Sequence, residues 1–436
     1  MWTSRARFLA ASAALAAAGA GALLAQRPEA DPVSTRHPAI EYLSRPVSDP
    51  VALLNQRIIN GEVQLTFEPG PRGYLKSVLQ ALKIPVESQM LVYSETSLQS
   101  EHITQKTPRA LYFNDTTSVG WVQGAETLEL TAWDPRQGVQ FYQVDQKPAQ
   151  RPHFNRSQRC LECHEGNLTA GIAGMLTMSM LPLSDDPNEY AQGWAVDQRT
   201  PYEDRWGGWF VTGAAVPARH LGNVPVYHVK KGGTRAPAAP KLTTAAGAAD
   251  TAPYLSPHSD VVALLVFNHQ TYMTNLITRL NWTTRVQDWN RQHPPAPVKE
   301  AALQDSGDPV ASTVTELVDH LLFVDEAPLP AKVQGGSGYA EVFSALGPKD
   351  SKGRSLRDLD LTRRLLRYPC SYLIYAPAFD ALPARAKTMV YERLWTVLSG
   401  KDPDPAYKRL SPEDRRAIIE ILRETKPDLP EMFRQA

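Results

Sequence analysis

The side chains with the clearest chemical meaning in this sequence form one short run, Cys160 to His164, which reads C-x-x-C-H. Two residues between the thiols allow one helical turn to bring both sulfurs to the same edge of a flat ligand, with the next residue beneath it. This spacing is the attachment signature of c-type haem, in which the thiols bond to the haem vinyl groups and the imidazole binds iron. The sequence therefore predicts one covalently attached haem c, held by Cys160 and Cys163, with His164 as the proximal iron ligand.

Two other chemistries use cysteines at this spacing. A zinc site would need two further ligands, usually a second Cys-x-x-Cys or a His pair, and the sequence contains neither pattern. A thioredoxin-like dithiol would need a βαβ setting and would give His164 no role. The third cysteine, Cys370, lies in the apolar and aromatic segment RYPCSYLIYAPAFDALP and is predicted to be a small buried side chain.

The ligand on the opposite side of the iron decides whether a haem carries electrons or binds small molecules. His220 is one candidate, because it follows the aromatic and Gly-rich stretch RWGGWFVTGAAVPARHLGN. His269 is the other, because it lies on the apolar stripe of a predicted helix, where a polar ring needs a reason to be buried. Met175, in the Gly-bounded segment GIAGMLTMSMLP, is a weaker candidate that could equally fill the core. The sequence leaves this choice open.

The elements that must position the motif differ between the two halves of the chain. Short segments of alternating apolar residues precede it and predict strands at 63–67, 90–94, 110–114, 118–123, 128–134 and 139–145, and YAQGWAVD and GGWFVTGA continue this pattern beyond it. Helical periodicity follows, with predicted helices at 259–292, 314–323, 339–345, 356–366 and 384–398 and a last helix capped by Ser411. The predicted fold class is α+β, with an antiparallel β-rich N-terminal half that carries the haem loop and a mostly helical C-terminal half.

The first 25 residues predict an export signal. Arg5 and Arg7 precede an uncharged, Ala-rich stretch with A-x-A-like cleavage sites. The alternative is an uncut N-terminal anchor, since the stretch is about long enough to cross a bilayer. We therefore expect the protein in the periplasm, with membrane contact only through an uncleaved N-terminus.

Composition limits the classes of partner. The chain has 46 basic and 46 acidic residues, so its total charge does not favour nucleic acid or an anionic membrane surface. Hydrophobic and charged fractions of 42% and 21% are typical of a soluble globular protein. We expect a signal peptide at 1–25, an extended lead-in with a short helix at 26–60, a β-rich haem-binding domain at 61–230, a low-complexity linker at 231–252 and a helical domain at 253–436 that packs on the haem region.

Several longer phrases resemble, in the same order, segments of a group of uncharacterised bacterial cytochrome c domain-containing proteins. The phrases are KTPRALYFND, VGWVQG, CLECHEG, PYEDRWGGWFVTG, RHLGN, SDVVALLVFNHQ and RYPCSYLIYAPAFDALP. The resemblance covers nearly all of the chain beyond the signal and implies a secreted monohaem protein with haem on Cys160, Cys163 and His164. It keeps His220 and His269 as candidate ligands, but relatives carry a second His where this chain has Thr274.

Two functions from different classes fit these features. The first is electron transfer to or from a periplasmic or membrane-bound redox protein, which needs no catalytic residues. The alternative is a haem enzyme or gas sensor with an open distal site, peroxidase-like or oxidising a small nitrogen compound. In that case Tyr202, Glu203, Asp204 and Arg205 could supply acid, base and charge, although PYEDRW could equally be a surface turn with a local ion pair.

Overall fold

A computed structural model describes residues 31–94, 96–180, 193–224, 239–294 and 308–434 of the protein. The strands are β1 Met90–Val92, β2 Arg109–Phe113, β3 Thr117–Trp121, β4 Thr127–Asp134, β5 Gly138–Asp145, β6 Asn155–Arg156, β7 Glu165–Gly166, β8 Ile172–Ala173, β9 Met178–Met180 and β10 Gly193–Ala195. The helices are α1 Pro50–Ile59, α2 Leu75–Ala81, α3 Leu161–His164, α4 Val261–Gln292, α5 Pro309–Leu321, α6 Tyr339–Ala345, α7 Pro377–Asp380, α8 Ala384–Leu398 and α9 Pro412–Thr425. Strands dominate the N-terminal half and helices the C-terminal half, which confirms the predicted α+β class.

The central sheet is an antiparallel meander in the order β1-β2-β3-β4-β5-β6. Each strand pairs with its neighbours in sequence, because short connections between consecutive strands favour antiparallel pairing. Five of the six strands predicted ahead of the motif overlap β1 to β5. The strand predicted at 63–67 is wrong: Val63 N–H donates to Arg57 O of α1, and Thr66 N–H donates to the Ser77 hydroxyl of α2, so this segment packs against helices.

Both faces of the sheet are buried, because successive side chains of a strand point to opposite sides. The face that carries Phe113 and Phe141 packs against α4, and we call it the inner face. The face that carries Tyr112 and Trp121 packs against α1 and α2. The sheet is therefore the middle layer of the β-rich half, and its inner face is the side on which the C-x-x-C-H motif lies.

Helix α4 is the central element of the C-terminal half and is buried along residues 261–284. Its N-cap is Asp260, whose carboxylate accepts hydrogen bonds from the N–H groups of Val262 and Ala263. Ser259, where the sequence started this helix, instead accepts a hydrogen bond from Leu91 N–H of β1 at 2.8 Å. Because this part of α4 is buried on all sides, its polar side chains are buried together with its apolar ones. Each buried polar side chain needs a hydrogen-bond partner.

The later helices follow their sequence signals closely. Helices α6 and α8 have the predicted bounds, and Ser411 caps α9 by accepting a hydrogen bond from Asp414 N–H at 3.0 Å. The helix predicted at 356–366 is wrong. The Asp360 carboxylate accepts hydrogen bonds from the N–H groups two and three residues ahead of it, and this turn chemistry replaces the helix.

One hydrophobic cluster joins the two halves of the chain. It contains Phe113, Trp133 and Phe141 of the sheet together with apolar side chains of α4, α5, α8 and α9. Residues 239–252 of the expected linker are also partly packed, since Ala245 and Ala249 are buried beside the other face of the sheet. Neither the expected signal at 1–25 nor residues 231–238 of the expected linker belong to the described part of the chain. Within that part, no helix combines the length and the apolar character needed to cross a membrane.

Candidate functional site

The C-x-x-C-H motif forms one helical turn, α3, as its spacing predicts. The N–H groups of Cys163 and His164 both donate to the carbonyl of Cys160, at 3.3 and 3.0 Å. Neither motif thiol is in a disulfide; Cys160 is partly buried and Cys163 is exposed. Burial raises the pKa of the Cys160 thiol. The turn thus offers two free thiols close together in the chain, one of them open to solvent.

A small hairpin reverses the chain directly after this turn. Strands β7 and β8 pair with Glu165 opposite Ala173, and the reversal uses left-handed backbone at Ala170 and Gly171, with φ of 59° and 72°. The pairing continues one residue further, because Gly174 N–H donates to the carbonyl of His164 at 2.9 Å. The hairpin therefore places Gly174 directly beside His164.

The orientation of the His164 ring follows from this neighbour. Its Nδ1 lies 3.0 Å from the carbonyl oxygen of Gly174. A carbonyl oxygen only accepts, so Nδ1 carries the proton and Nε2 of the neutral ring keeps its lone pair. Burial lowers the pKa of His164, which keeps the ring neutral. A neutral imidazole whose other N–H is held by a backbone carbonyl is the usual form of a metal-bound histidine, so these residues have the donor set that haem c requires.

The inner face of the sheet forms a wall beside the motif. The ring of Phe141 on β5 lies 4.9 Å from the His164 ring, centre to centre. Arg109 on β2 and Glu129 on β4 form an ion pair at 2.8 Å on the same face. The strand between them, β3, has Gly120 at this point, which leaves space for the Arg109 side chain. A Cβ on residue 120 would lie 2.5 Å from Arg109 Nη2. A partly buried charge pair therefore lies next to the motif.

Of the three candidate distal ligands, His220 is buried beside Trp206 and Gly222. Its ring packs edge-on against Trp206 at 5.6 Å, and its Nδ1 accepts a hydrogen bond from Gly222 N–H at 3.0 Å. With Nδ1 accepting, the proton of the neutral ring lies on Nε2. Burial lowers the pKa of His220 to about 4.

The ring of His269 is fully buried on α4 and uses both of its nitrogens. Nδ1 contacts Gln198 Oε1, which only accepts, so Nε2 accepts a hydrogen bond from the Ser371 hydroxyl at 2.7 Å. The ring stacks on Phe323 at 4.3 Å. Burial, with the neighbouring His320, holds the pKa of His269 well below its usual value. These contacts tie His269 to the helical core.

Met175 lies in the same loop as the motif. It follows Gly174, so its backbone lies on the Nδ1 side of the His164 ring, which is the side away from Nε2. Its Sδ accepts a hydrogen bond from Thr131 Oγ1 of β4 at 3.3 Å. The distal ligand remains a prediction, and only Met175 among the three candidates belongs to the same loop as the motif.

The segment Tyr202 to Arg205 contains a 3-10 turn in which Glu203 is exposed, whereas Tyr202 and Arg205 are buried. The Arg205 guanidinium donates to the carbonyls of Thr200 and Gln198, at 2.7 and 2.8 Å, and lies 4.6 Å from the Tyr202 ring centre. Burial raises the pKa of the Asp204 carboxyl. Arg205 therefore supports its own loop, and its charge already has partners.

The sequence did not reveal four features of this site: the Gly174 carbonyl, the Phe141 ring, the Arg109–Glu129 pair and Asn275 of α4. The sequence carried no signal for Asn275, because it lies on the same helical face as the polar residues Thr271 and Arg279. Among the described residues, no three His, Cys, Asp or Glu side chains come together as a metal-binding group. A haem iron needs only one or two protein ligands.

Comparison with known proteins adds no further constraint: no family model, no curated protein and no solved structure matches this chain significantly.

Proposed function

We propose that this protein is a monohaem c-type cytochrome that works in the periplasm and transfers electrons to or from a redox partner. Cys160 and Cys163 would hold the haem through thioether bonds, and His164 would bind the iron through Nε2. When bound, the haem supplies a metal that gains and loses one electron. The chain fixes its attachment, its proximal ligand and its surroundings.

The hydrogen bond from His164 Nδ1 to the Gly174 carbonyl is the observation that carries this proposal. It fixes the ring as the tautomer with a free Nε2, and it comes from a hairpin that begins at the residue after the motif. A cysteine pair used for disulfide chemistry would have no need of an oriented imidazole at this position. The arrangement supports iron ligation over the competing uses of the same residues.

Exposure of one thiol supports electron transfer as the role. Because Cys163 is exposed and Cys160 only partly buried, a haem bonded to both would have an edge near the surface. A partner protein could then approach that edge, since electron transfer needs proximity and no contact with the metal. The partner we propose is a periplasmic or membrane-bound redox protein.

Haem attachment is tested by producing the full chain in a bacterium that has the c-type attachment machinery. We expect haem to stay with the polypeptide after denaturation and to give a thioether-type pyridine haemochrome. The double variant Cys160→Ala and Cys163→Ala should lose both signals. Cys370→Ala is the matched control, since Cys370 is buried away from the motif and should keep them. Haem retained by the double variant would overturn the proposal.

The alternative of a haem enzyme or gas sensor is separated from electron transfer by the optical spectrum of the same protein. A carrier with both axial positions filled gives a low-spin spectrum that carbon monoxide leaves unchanged. A high-spin ferric spectrum and a ferrous form that binds carbon monoxide on mixing would favour the alternative.

A further inference from the structure

One face of α4 carries three polar side chains that all bond to the segment following the motif. Thr271, Asn275 and Arg279 are four residues apart, so they lie above one another on the helix, and all three are buried. Thr271 Oγ1 lies 3.3 Å from the Thr177 hydroxyl, Asn275 bonds to the backbone of Met175, and Arg279 donates to the Ala170 carbonyl at 2.7 Å. This polar stripe holds the segment 170–177 at three points; we call residues 160–177 the haem loop.

The middle contact is the most specific of the three. Asn275 Oδ1 accepts from Met175 N–H and Asn275 Nδ2 donates to Met175 O, both at 2.7 Å. The side chain is 1% exposed, so both ends of its amide depend on this backbone. A Cβ on Gly174 would lie 2.5 Å from Asn275 Oδ1, which explains why the residue beside Met175 is glycine.

The peptide that Asn275 holds adjoins the carbonyl that orients His164. The Gly174 carbonyl belongs to the peptide whose N–H is that of Met175, and this N–H is the donor to Asn275 Oδ1. The same peptide group therefore donates to α4 at one end and accepts from His164 Nδ1 at the other. A shift of Asn275 would rotate this peptide and change the hydrogen bond to His164.

We propose that Asn275 is a positioning residue that sets the reduction potential of the iron through the Met175 peptide and the Gly174 carbonyl. This inference rests on the proposed function. A firm hydrogen bond from Nδ1 makes the imidazole a stronger donor to the metal, which stabilises ferric iron and lowers the potential. Two hydrogen bonds in series also polarise one another, so the bond to Asn275 strengthens the bond to His164.

The test compares two carboxamides of the same helix in the haem-loaded protein. Asn275→Leu keeps the branched shape and the number of side-chain heavy atoms but removes both hydrogen bonds. Asn281→Leu is the matched control, because Asn281 is also buried on α4 but donates to Ala381 O, outside the haem loop. We measure the midpoint potential and, by NMR, the rate at which the His164 Nδ1 proton exchanges with solvent. Asn275→Leu should shift the potential to more positive values and speed the exchange, and Asn281→Leu should do neither.

A second variant covers the case in which Asn275→Leu does not fold. Asn275→Ser is smaller and cannot reach both polar atoms of Met175, so it should change the potential and the exchange rate in the same directions. Wild-type values of both quantities in a haem-loaded Asn275 variant would overturn the inference while leaving the proposed function intact. Absence of haem from the wild-type chain would instead overturn the proposed function, and the inference with it.

Discussion

The Glu326 carboxylate shows what a single buried charge does to this fold. It is 6% exposed, accepts a hydrogen bond from Leu365 N–H at 2.8 Å and lies 3.8 Å from Arg409. Burial raises the pKa of the Glu326 carboxyl despite these partners. The folded protein therefore keeps this proton to a higher pH than the unfolded chain does. The stability that the protonated group contributes is present below the unfolded pKa and is lost as pH rises through the folded pKa.

Substitution of Glu326 by Gln tests this pH dependence. Glu326→Gln keeps an oxygen for Leu365 N–H and cannot ionise, so it should gain free energy of unfolding relative to wild type as the pH is raised from about 4 to about 7. Urea unfolding at both values measures the change. Glu126→Gln is the control, because the Glu126 side chain is 81% exposed. If the difference in free energy of unfolding between wild type and Glu326→Gln is the same at both pH values, ionisation of Glu326 does not cause the pH dependence.

At the residue scale, the sequence predicts the helical turn of the motif, but it does not predict which residues surround that turn. The roles proposed for Cys160, Cys163 and His164 follow from spacing within five residues, and the motif forms the predicted turn. Gly174 and Asn275 become relevant only because a hairpin and a helix 100 residues further on meet at that turn. Such contacts are set by tertiary packing, which no local pattern records.

At the scale of elements, the β4–β5 hairpin is fitted closely to α4. Gly138 begins β5 with φ of 74°, and a Cβ there would lie 2.4 Å from Thr278 Cγ2 of α4. Trp133 at the end of β4 donates to Thr278 Oγ1 at 3.1 Å. The hairpin end and the helix therefore leave no space for a side chain between them.

Comparison of Gly138→Ala with Gly61→Ala should separate the cost of the steric clash with α4 from the cost of placing Ala at a positive φ. Gly61 has φ of 75° and open space around its Cβ position, so Gly61→Ala carries the conformational penalty alone, about 1–2 kcal/mol. Gly138→Ala adds a steric clash in the core, which typically costs a further 1–3 kcal/mol, about the size of an overpacked site. Denaturant unfolding of the two variants measures the difference. Equal losses would show that α4 moves aside freely.

Helices and strands were predictable where the local sequence signals and the burial of the segment favour the same secondary structure. Strands β1 to β5 and helices α6 and α8 show both signals, and their predictions hold. The segment 63–67 alternates like a strand but finds helices as neighbours, and 356–366 has helical spacing but contains the turn-forming Asp360. In both cases a hydrogen bond to a side chain replaced the regular backbone pattern.

At the scale of the whole molecule, the two halves share one core. The inner face of the sheet and α4 contribute to the same hydrophobic cluster, and α4 also bonds to the loop that follows the motif. The division into a β-rich and a helical domain stays a prediction, and in the described residues side chains of the sheet and of the C-terminal helices pack in the same cluster. The loop that follows the motif is thus held by residues of both the sheet and α4.

A fragment of residues 31–258 tests the shared core. Without α4, the fragment would expose the inner face, including Phe113 and Phe141, to water. We expect it to lack a cooperative urea transition and to show little near-ultraviolet circular dichroism, whereas residues 31–436 should show both. A sigmoidal transition in the fragment would mean that the β-rich half folds as an independent domain.

A haem bonded to the α3 turn would add its mass to the exported polypeptide, and this is measured by the intact mass of the denatured protein. We expect the mass of the polypeptide plus one haem, with the added mass on the peptide that contains Cys160 and Cys163 after proteolysis. A polypeptide mass without haem, in a host that attaches haem to other c-type cytochromes, would contradict this expectation.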